Sequence, residues 1–421
     1  MALEVAADAD RRLLASSADQ PGGTAVDQIG QRDGTGTITH NTDVFRGLSP
    51  GVTLMIGDPV RIRVLLTISA IAAVGMFTPA AARAEGPAAV RCGSVVSTDA
   101  YLATDLTCPD GNGVTLAGNL TLDLRGHQLR GPGATGAAVI VRSGFSARIQ
   151  NGAIKAWGVG VGRANPDPDS AMTGTATVRN VRFLNNVTAV APQGSDIGGT
   201  PTAAFVVRNS LFENNTFGIG GIFTGSVTVN ASSFRGNSDA VRIDTGKLEV
   251  TGSRFYANMT GVSCVEGNCT IRSSYLFGNQ TALTSGTYAI AATGNVLTRN
   301  GIGLITVGSS GNALSSNVFA GNTTAVHFLG AGGTVTRNTF TANGVGFTSE
   351  DGGDPMATTL DRNIFIRNGS GIFIEDQGVS LKSNIAVRNT DWGIYAPQSI
   401  DLGGNQASGN GNSPQCVGVV C

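Results

Sequence analysis

One phrase recurs along most of this chain: an apolar residue, two variable ones, Asn, two polar or small ones, Gly or Ala, and a second apolar residue. It reads "SLFENNTFGI" at 210–219, "SRFYANMTGV" at 253–262, "NVFAGNTTAV" at 317–326 and "NIFIRNGSGI" at 363–372. Its Asn falls at Asn186, Asn215, Asn237, Asn258, Asn279, Asn300, Asn322, Asn343, Asn368, Asn389 and Asn410. The spacings are 29, 22, 21, 21, 21, 22, 21, 25, 21 and 21. Degenerate copies precede these, centred on Pro132 and Trp157. A fixed period in the twenties is the mark of a solenoid, in which no repeat buries its apolar face alone.

The pattern inside one period selects the kind of solenoid. Three residues before each landmark stands an apolar residue, often Phe (Phe183, Phe212, Phe234, Phe255), and four after it another (Ile219, Val241, Val262). Eight and ten before it stand pairs such as Val227/Val229 and Leu248/Val250. Alternation of period two within each short piece predicts strands rather than helices. Three short strands per coil, each with one face inward, describe an all-β, parallel β-helix, and the crossover rule makes it right-handed. At ~4.8 Å per coil, roughly thirteen coils of 21–22 residues would span about 60 Å. The landmark Asn is expected at a corner, adopting the left-handed conformation there, with its amide stacked on the next coil's amide.

Composition narrows the setting. The chain has 421 residues, 60 of them glycine, and a formal net charge of −1. Lysine occurs only at Lys155, Lys247 and Lys382, and no basic cluster is present. Nucleic acid is therefore excluded as a partner. "RIRVLLTISAIAAVGMFTPAAARAEG" has the three-part form of a secretory signal, with cleavage expected after Ala84. Its apolar run, Val64 to Phe77, falls short of the ~20 residues a spanning helix needs, so no permanent membrane insertion is expected. The reading is thus 1–59 as an upstream extension or disordered tail, 60–84 as a signal peptide, and 85–421 as an exported β-helix, expected to act as a monomer. All six cysteines follow Ala84 as three local pairs, Cys92/Cys108, Cys264/Cys269 and Cys416/Cys421. Zinc-ligand spacing is missing, and the pairs read as disulfides, although spacing alone does not prove connectivity.

Coil length, inward Phe and the Asn ladder resemble the pectin-lyase-like right-handed β-helix superfamily. The opening "CGSVVSTDAYLATDLTC" and "LTLDLRGHQLRG" are similar to the first coils of secreted bacterial members. The resemblance covers about 330 residues, from Cys92 to the end. It implies a groove along the strand that begins each coil and the loop before it. The extra residues of the long coils fall in that loop, at 163–174, 191–201 and 350–357. The resemblance does not fix an activity, because this fold hosts many.

Two clusters carry candidate chemistry. Asp167, Asp169 and Asp196 stand in neighbouring loops, and Arg179 and Arg208 lie seven residues before their landmarks, expected outward on adjacent strands. Carboxylates there could hold Ca²⁺ that neutralises a uronate while an arginine takes the C5 proton, as in pectate-lyase-type enzymes. Loop acids capping turns beside solvated arginines would look the same. In the second cluster Glu350 and Glu375 lie seven residues after their landmarks, and Asp351 and Asp376 eight after. Such a stack calls for a cation or a shared proton. Asp361 and Lys382 are expected stacked beside it, as an ion pair or with Lys382 as a base. Phe373 and Tyr395 would serve as sugar platforms. His327 is expected outward and alone. "NTD" at 389–391 matches a triplet of the polygalacturonases, but its Asn is the ladder residue and the companion motifs are missing. Three functions stay open: a binder of acidic extracellular polysaccharide, a Ca²⁺-dependent lyase acting on polyuronides, and a structural or adhesive surface rod.

Overall fold

The computed structural model describes residues 87–162, 174–192, 204–221, 225–350 and 356–421, all within one compact unit. The expected extension and signal segment, and Asp167, Asp169, Asp196 and Asp351, lie outside the described residues. Among the described residues there is no helix, and hence none long and apolar enough to cross a membrane.

The fold is an all-β parallel solenoid of about 13 turns. One coil shows how it is made. Ser226–Asn230 pairs in parallel with Ala204–Arg208 before it and with 247–251 after it. Ser233–Arg235 pairs with Leu211–Glu213 and Arg254–Tyr256. The segment from Asp239 pairs with those from Phe217 and Thr260. Repeated coil by coil, these pairings build three parallel sheets, called first, second and third in their order within a coil. Valines 227 and 229 point inward while Ser226, Thr228 and Asn230 alternate outward, as a half-buried strand requires.

The interior is a set of columns. Phe183, Phe212, Phe234 and Phe255 stack at centroid distances of 4.8, 4.5 and 4.9 Å. Leu276 and Leu297 continue the column by register, and Phe319, Phe340 and Phe365 resume it at 5.0 and 4.4 Å. Under each ring lies the Gly or Ala three residues after the landmark. A Cβ on Gly346 would meet Phe365 Cδ1 at 2.7 Å and the Gly371 carbonyl at 2.5 Å, which is why that position stays small.

The landmark asparagines sit at the corner between second and third sheets and are buried. Each accepts on Oδ1 from both the backbone N and Nδ2 of the Asn one coil earlier. Asn300, for example, donates both to Asn322. Each Nδ2 also donates to a carbonyl of the coil before, Asn300 to Leu276. The stacking was legible in the sequence, but the expected backbone conformation is corrected. The left-handed residue is the one before the landmark: Asn185, Asn214, Ala257, Arg299, Ala342, Arg367 or Arg388, with Gly elsewhere. This arrangement frees the Asn to point inward while its neighbour turns the corner.

A second ladder runs at the corner between first and second sheets, five residues before each landmark. Its first members are Ser210, Ser232, Ser253 and Ser274, and from Asn295 onward it is Asn. The third corner carries loops of variable length and, in one coil, a disulfide between the inward Cys264 and Cys269. Disulfides Cys92–Cys108 and Cys416–Cys421 lie in the first and last coils.

Candidate functional site

Arg179 and Arg208 are register partners on the first sheet, and both side chains are exposed. Their column runs back through Gln150 and Asp123 to Tyr101, over whose ring the Arg125 guanidinium lies at 3.5 Å. Burial alone would raise the Asp123 pKa. Hydrogen bonds from the Arg125 N–H, Gln150 and Asn151, with the Arg125 charge, outweigh it and hold the carboxyl below its usual range. From Asp123 to Arg208 this column is thus a line of charged and amide side chains, with one aromatic ring, Tyr101, at its start. Asp167, Asp169 and Asp196, the acids that a lyase reading joins to it, fall outside the described residues.

At the other end of the first sheet Asp361 and Lys382 are register partners as well. No ion pair within 4.0 Å joins them. Asp361 instead meets its chain neighbour Arg362 at 3.5 Å, and its Oδ1 is buried without a hydrogen-bond partner. Lys382 is left exposed.

The outer face of the third sheet gathers more. Phe373 and Tyr395 are register partners whose rings stack at 5.2 Å with 15° between planes. Trp392 joins them, tilted at 5.0 Å from Tyr395. The backbone explains the cluster: side chains two residues beyond the Gly or Ala step of each third-sheet strand point outward, and successive coils stack them in one column. In that column Phe373 follows Thr348, which follows His327. Three aromatic side chains half-exposed on a flat sheet form a platform that can stack against a ring-shaped partner.

Acids border the platform. Glu350 ends one strand, and Glu375 holds the equivalent place one coil on, directly after the pair Ser349–Ile374. Both are exposed. His327 points outward, but it is not alone: its Nε2 lies 3.3 Å from Glu350 Oε1. That contact lacks hydrogen-bond geometry, and Nε2 has no other partner. Asp376 accepts from Ser349 Oγ at 2.5 Å, and Gln398 Nε2 donates to the Glu375 carbonyl. On the opposite border Asp391 accepts from Ser370 Oγ and Asn412 Nδ2. Among the described residues no three His, Cys, Asp or Glu side chains are grouped closely enough to hold a metal ion.

Trp392 and the whole second ladder, serine and asparagine members alike, are features that sequence reading missed. Each had a signal. Trp392 is one of two tryptophans in the chain and stands where the coil before carries Ser370 and most others carry Thr, Ile or Val. The ladder keeps a constant offset of five residues from the landmarks.

Comparison with known proteins agrees with this architecture. Residues 286–410 match the family described as "Right handed beta helix region". With the three parallel sheets, this makes the solenoid a right-handed parallel β-helix, the fold of the pectin-lyase-like superfamily. Comparison with curated sequences gives no match. Among solved structures, a mutant of the periplasmic alginate epimerase AlgG is similar at 13% identity and a TM-score of 0.39, over 72% of this chain and 78% of that one. The catalytic unit of a thermostable GH87 alpha-1,3-glucanase from Streptomyces thermodiastaticus is similar at 14% and 0.35, over 77% and 64%. Likeness at this level concerns the fold alone.

Proposed function

We propose that this right-handed parallel β-helix is an exported protein that binds an extracellular polysaccharide across the outer face of its third sheet. The observation that carries the reading is the stacked pair Phe373–Tyr395 with Trp392 beside it. Pyranose rings offer flat C–H faces that aromatic rings bury well, and a coil rise of about 4.8 Å presents one stacking position per coil. Because Glu350, Glu375 and Asp376 border the platform, an acidic polysaccharide would be held through a cation such as Ca²⁺ between its carboxylates and theirs. Export rests on the signal-like segment ending at Ala84 and on the three disulfides, which persist in oxidising compartments.

The test is affinity electrophoresis of the purified protein through gels containing polyuronides or neutral glucans, with Ca²⁺ and then with chelator. Phe373→Ala and Tyr395→Ala should each weaken retardation about fivefold or more. Unchanged retardation in both variants would remove the platform from the reading. Retardation by polyuronides that survives chelation would remove the cation.

A second reading, β-elimination on a polyuronide, is favoured by Arg179 and Arg208 standing exposed and in register. In it an arginine, or Lys382 further along the same sheet, takes the C5 proton and acids of the long loops hold Ca²⁺. Ultraviolet absorbance of the unsaturated uronide tests it. A chelator-sensitive rise that Arg179→Ala, Arg208→Ala or Lys382→Ala abolishes would establish catalysis. A flat trace across the polyuronides would leave binding alone.

A further inference from the structure

We propose that the outer face of the second sheet, over the coils from Val296 to Val387, docks on an anionic lipid surface. The face is aliphatic where a solvated sheet would be polar: Val296, Val318, Ile364, Ile366, Ile385 and Val387 all point outward and are half-buried. The remaining outward side chains there, Thr298, Ala320, Thr339 and Thr341, are small and uncharged. Register stacks them into two straight columns, so the face is flat over its length.

Both long edges of this face carry exposed arginine. Arg337 and Arg362 stand at the corner with the first sheet, and Arg299, Arg367 and Arg388 at the corner with the third. Arg337, Arg367 and Arg388 have no carboxylate within 4.0 Å among the described residues, whereas Arg362 meets Asp361. Every one of the five has positive φ, between 53° and 56°. Most other coils fill these corner positions with Asn, Gly, Ala or Ser, which turn there as easily or more so. Backbone geometry therefore gives no reason for arginine, and its side chain must supply one.

An aliphatic strip between two rows of cations fits hydrocarbon flanked by phosphate. It suits other occupants poorly. A second copy would set arginine against arginine along both edges. The outward rings on this sheet, Tyr256, Tyr275 and Phe277, stop one coil before Val296, so a sugar polymer would find none to stack on over these coils, and the polysaccharide platform lies around the corner on the third sheet. The two surfaces do not overlap, so a membrane-associated molecule would keep its third-sheet face open.

Co-sedimentation of the full protein with vesicles tests this, using phosphatidylglycerol mixed with phosphatidylcholine against phosphatidylcholine alone. Binding should require the anionic lipid and weaken with salt. Each arginine is expected to contribute about fivefold to partitioning, so Arg337→Asn, Arg367→Asn and Arg388→Asn combined should lower it on the order of a hundredfold. Asn is at home at positive φ, so this variant should keep its fold, checked by circular dichroism. Ile364→Ser with Ile385→Ser should also weaken binding, and Phe373→Ala should leave it unchanged. Equal binding to both vesicle types, no binding, or binding indifferent to the arginines would overturn the proposal. So would an arginine-dependent dimer, or polyuronide binding lost with the same three arginines while vesicles are ignored.

Discussion

Asn322 shows what one residue does in this fold. Its Oδ1 accepts from N and Nδ2 of Asn300, its own N and Nδ2 donate to Asn343, and Nδ2 also reaches the Leu297 carbonyl. Asn322→Ala would strand two buried donors of Asn300 and a buried carbonyl. At about 1–3 kcal/mol for each unsatisfied group, a loss of about 3 kcal/mol or more is expected in urea unfolding. The neighbouring corner residue works by conformation alone. Gly278 has φ of 64° and open space where a Cβ would be. Gly278→Val should therefore cost about 1–2 kcal/mol with no change in packing, a loss that Gly278→Asn should largely avoid. The sequence made the ladder legible because Asn recurs at one offset. It hid which residue turns the corner, because Asn suits both jobs and stands at both positions in "ENNT" and "LNNV".

At the scale of the element, short strands hold together because each has a partner above and below, and the last coil lacks one. There Asp401 serves as a cap. Its carboxylate accepts from the N–H groups of Val420 and Gly403 and from Asn405 Nδ2. The Val420 and Gly403 hydrogen bonds lead in holding its pKa below the usual value, against a smaller raising effect of burial. A carboxyl lowered on folding stabilises the folded state above its unfolded pKa, and that contribution is lost as pH falls through the folded value. Thermal melts between about pH 5 and pH 2 should show this end loosening with acid, and Asp401→Asn should flatten that part of the profile. Asp401 was not singled out in the sequence, since a cap is defined by which backbone groups the end of the solenoid leaves open. Phe373 and Tyr395 were legible as candidate platforms but not as neighbours: a 21-residue coil would set Phe373 beside Ile394, and one extra residue after Asn389 brings Tyr395 into register instead. Asp361 with Lys382 shows the limit: register brought their backbones side by side, but Arg362, adjacent in the chain, takes the carboxylate.

For the whole solenoid each coil touches only its neighbours, so stability should decline toward the ends rather than be shared evenly. Amide hydrogen exchange is expected to be slowest at central core strands holding Val229, Val250 and Ile271, and faster in Ala88–Tyr101 and Ile400–Val417. Reducing the disulfides should speed exchange most in the end coils, where Cys92–Cys108 and Cys416–Cys421 stand in for missing neighbours. Uniform exchange along the coils, or equal response to reduction everywhere, would contradict a nearest-neighbour solenoid.

By itself the sequence determined the period, the strand count per coil and the inward columns. Each of these repeats along the chain at short range, and a repeat read in one dimension becomes a stack in three. Only the tertiary structure decided which outward residues meet. The coil circumference varies, with a spacing of 25 residues between Asn343 and Asn368 against 21 or 22 in most coils, so side chains far apart in sequence come together by register and corner geometry. Trp392 beside Tyr395, Glu350 beside His327, and arginines lining both edges of an aliphatic face follow from that closure. No periodicity announces them, because contacts between outward side chains depend on where each coil bends.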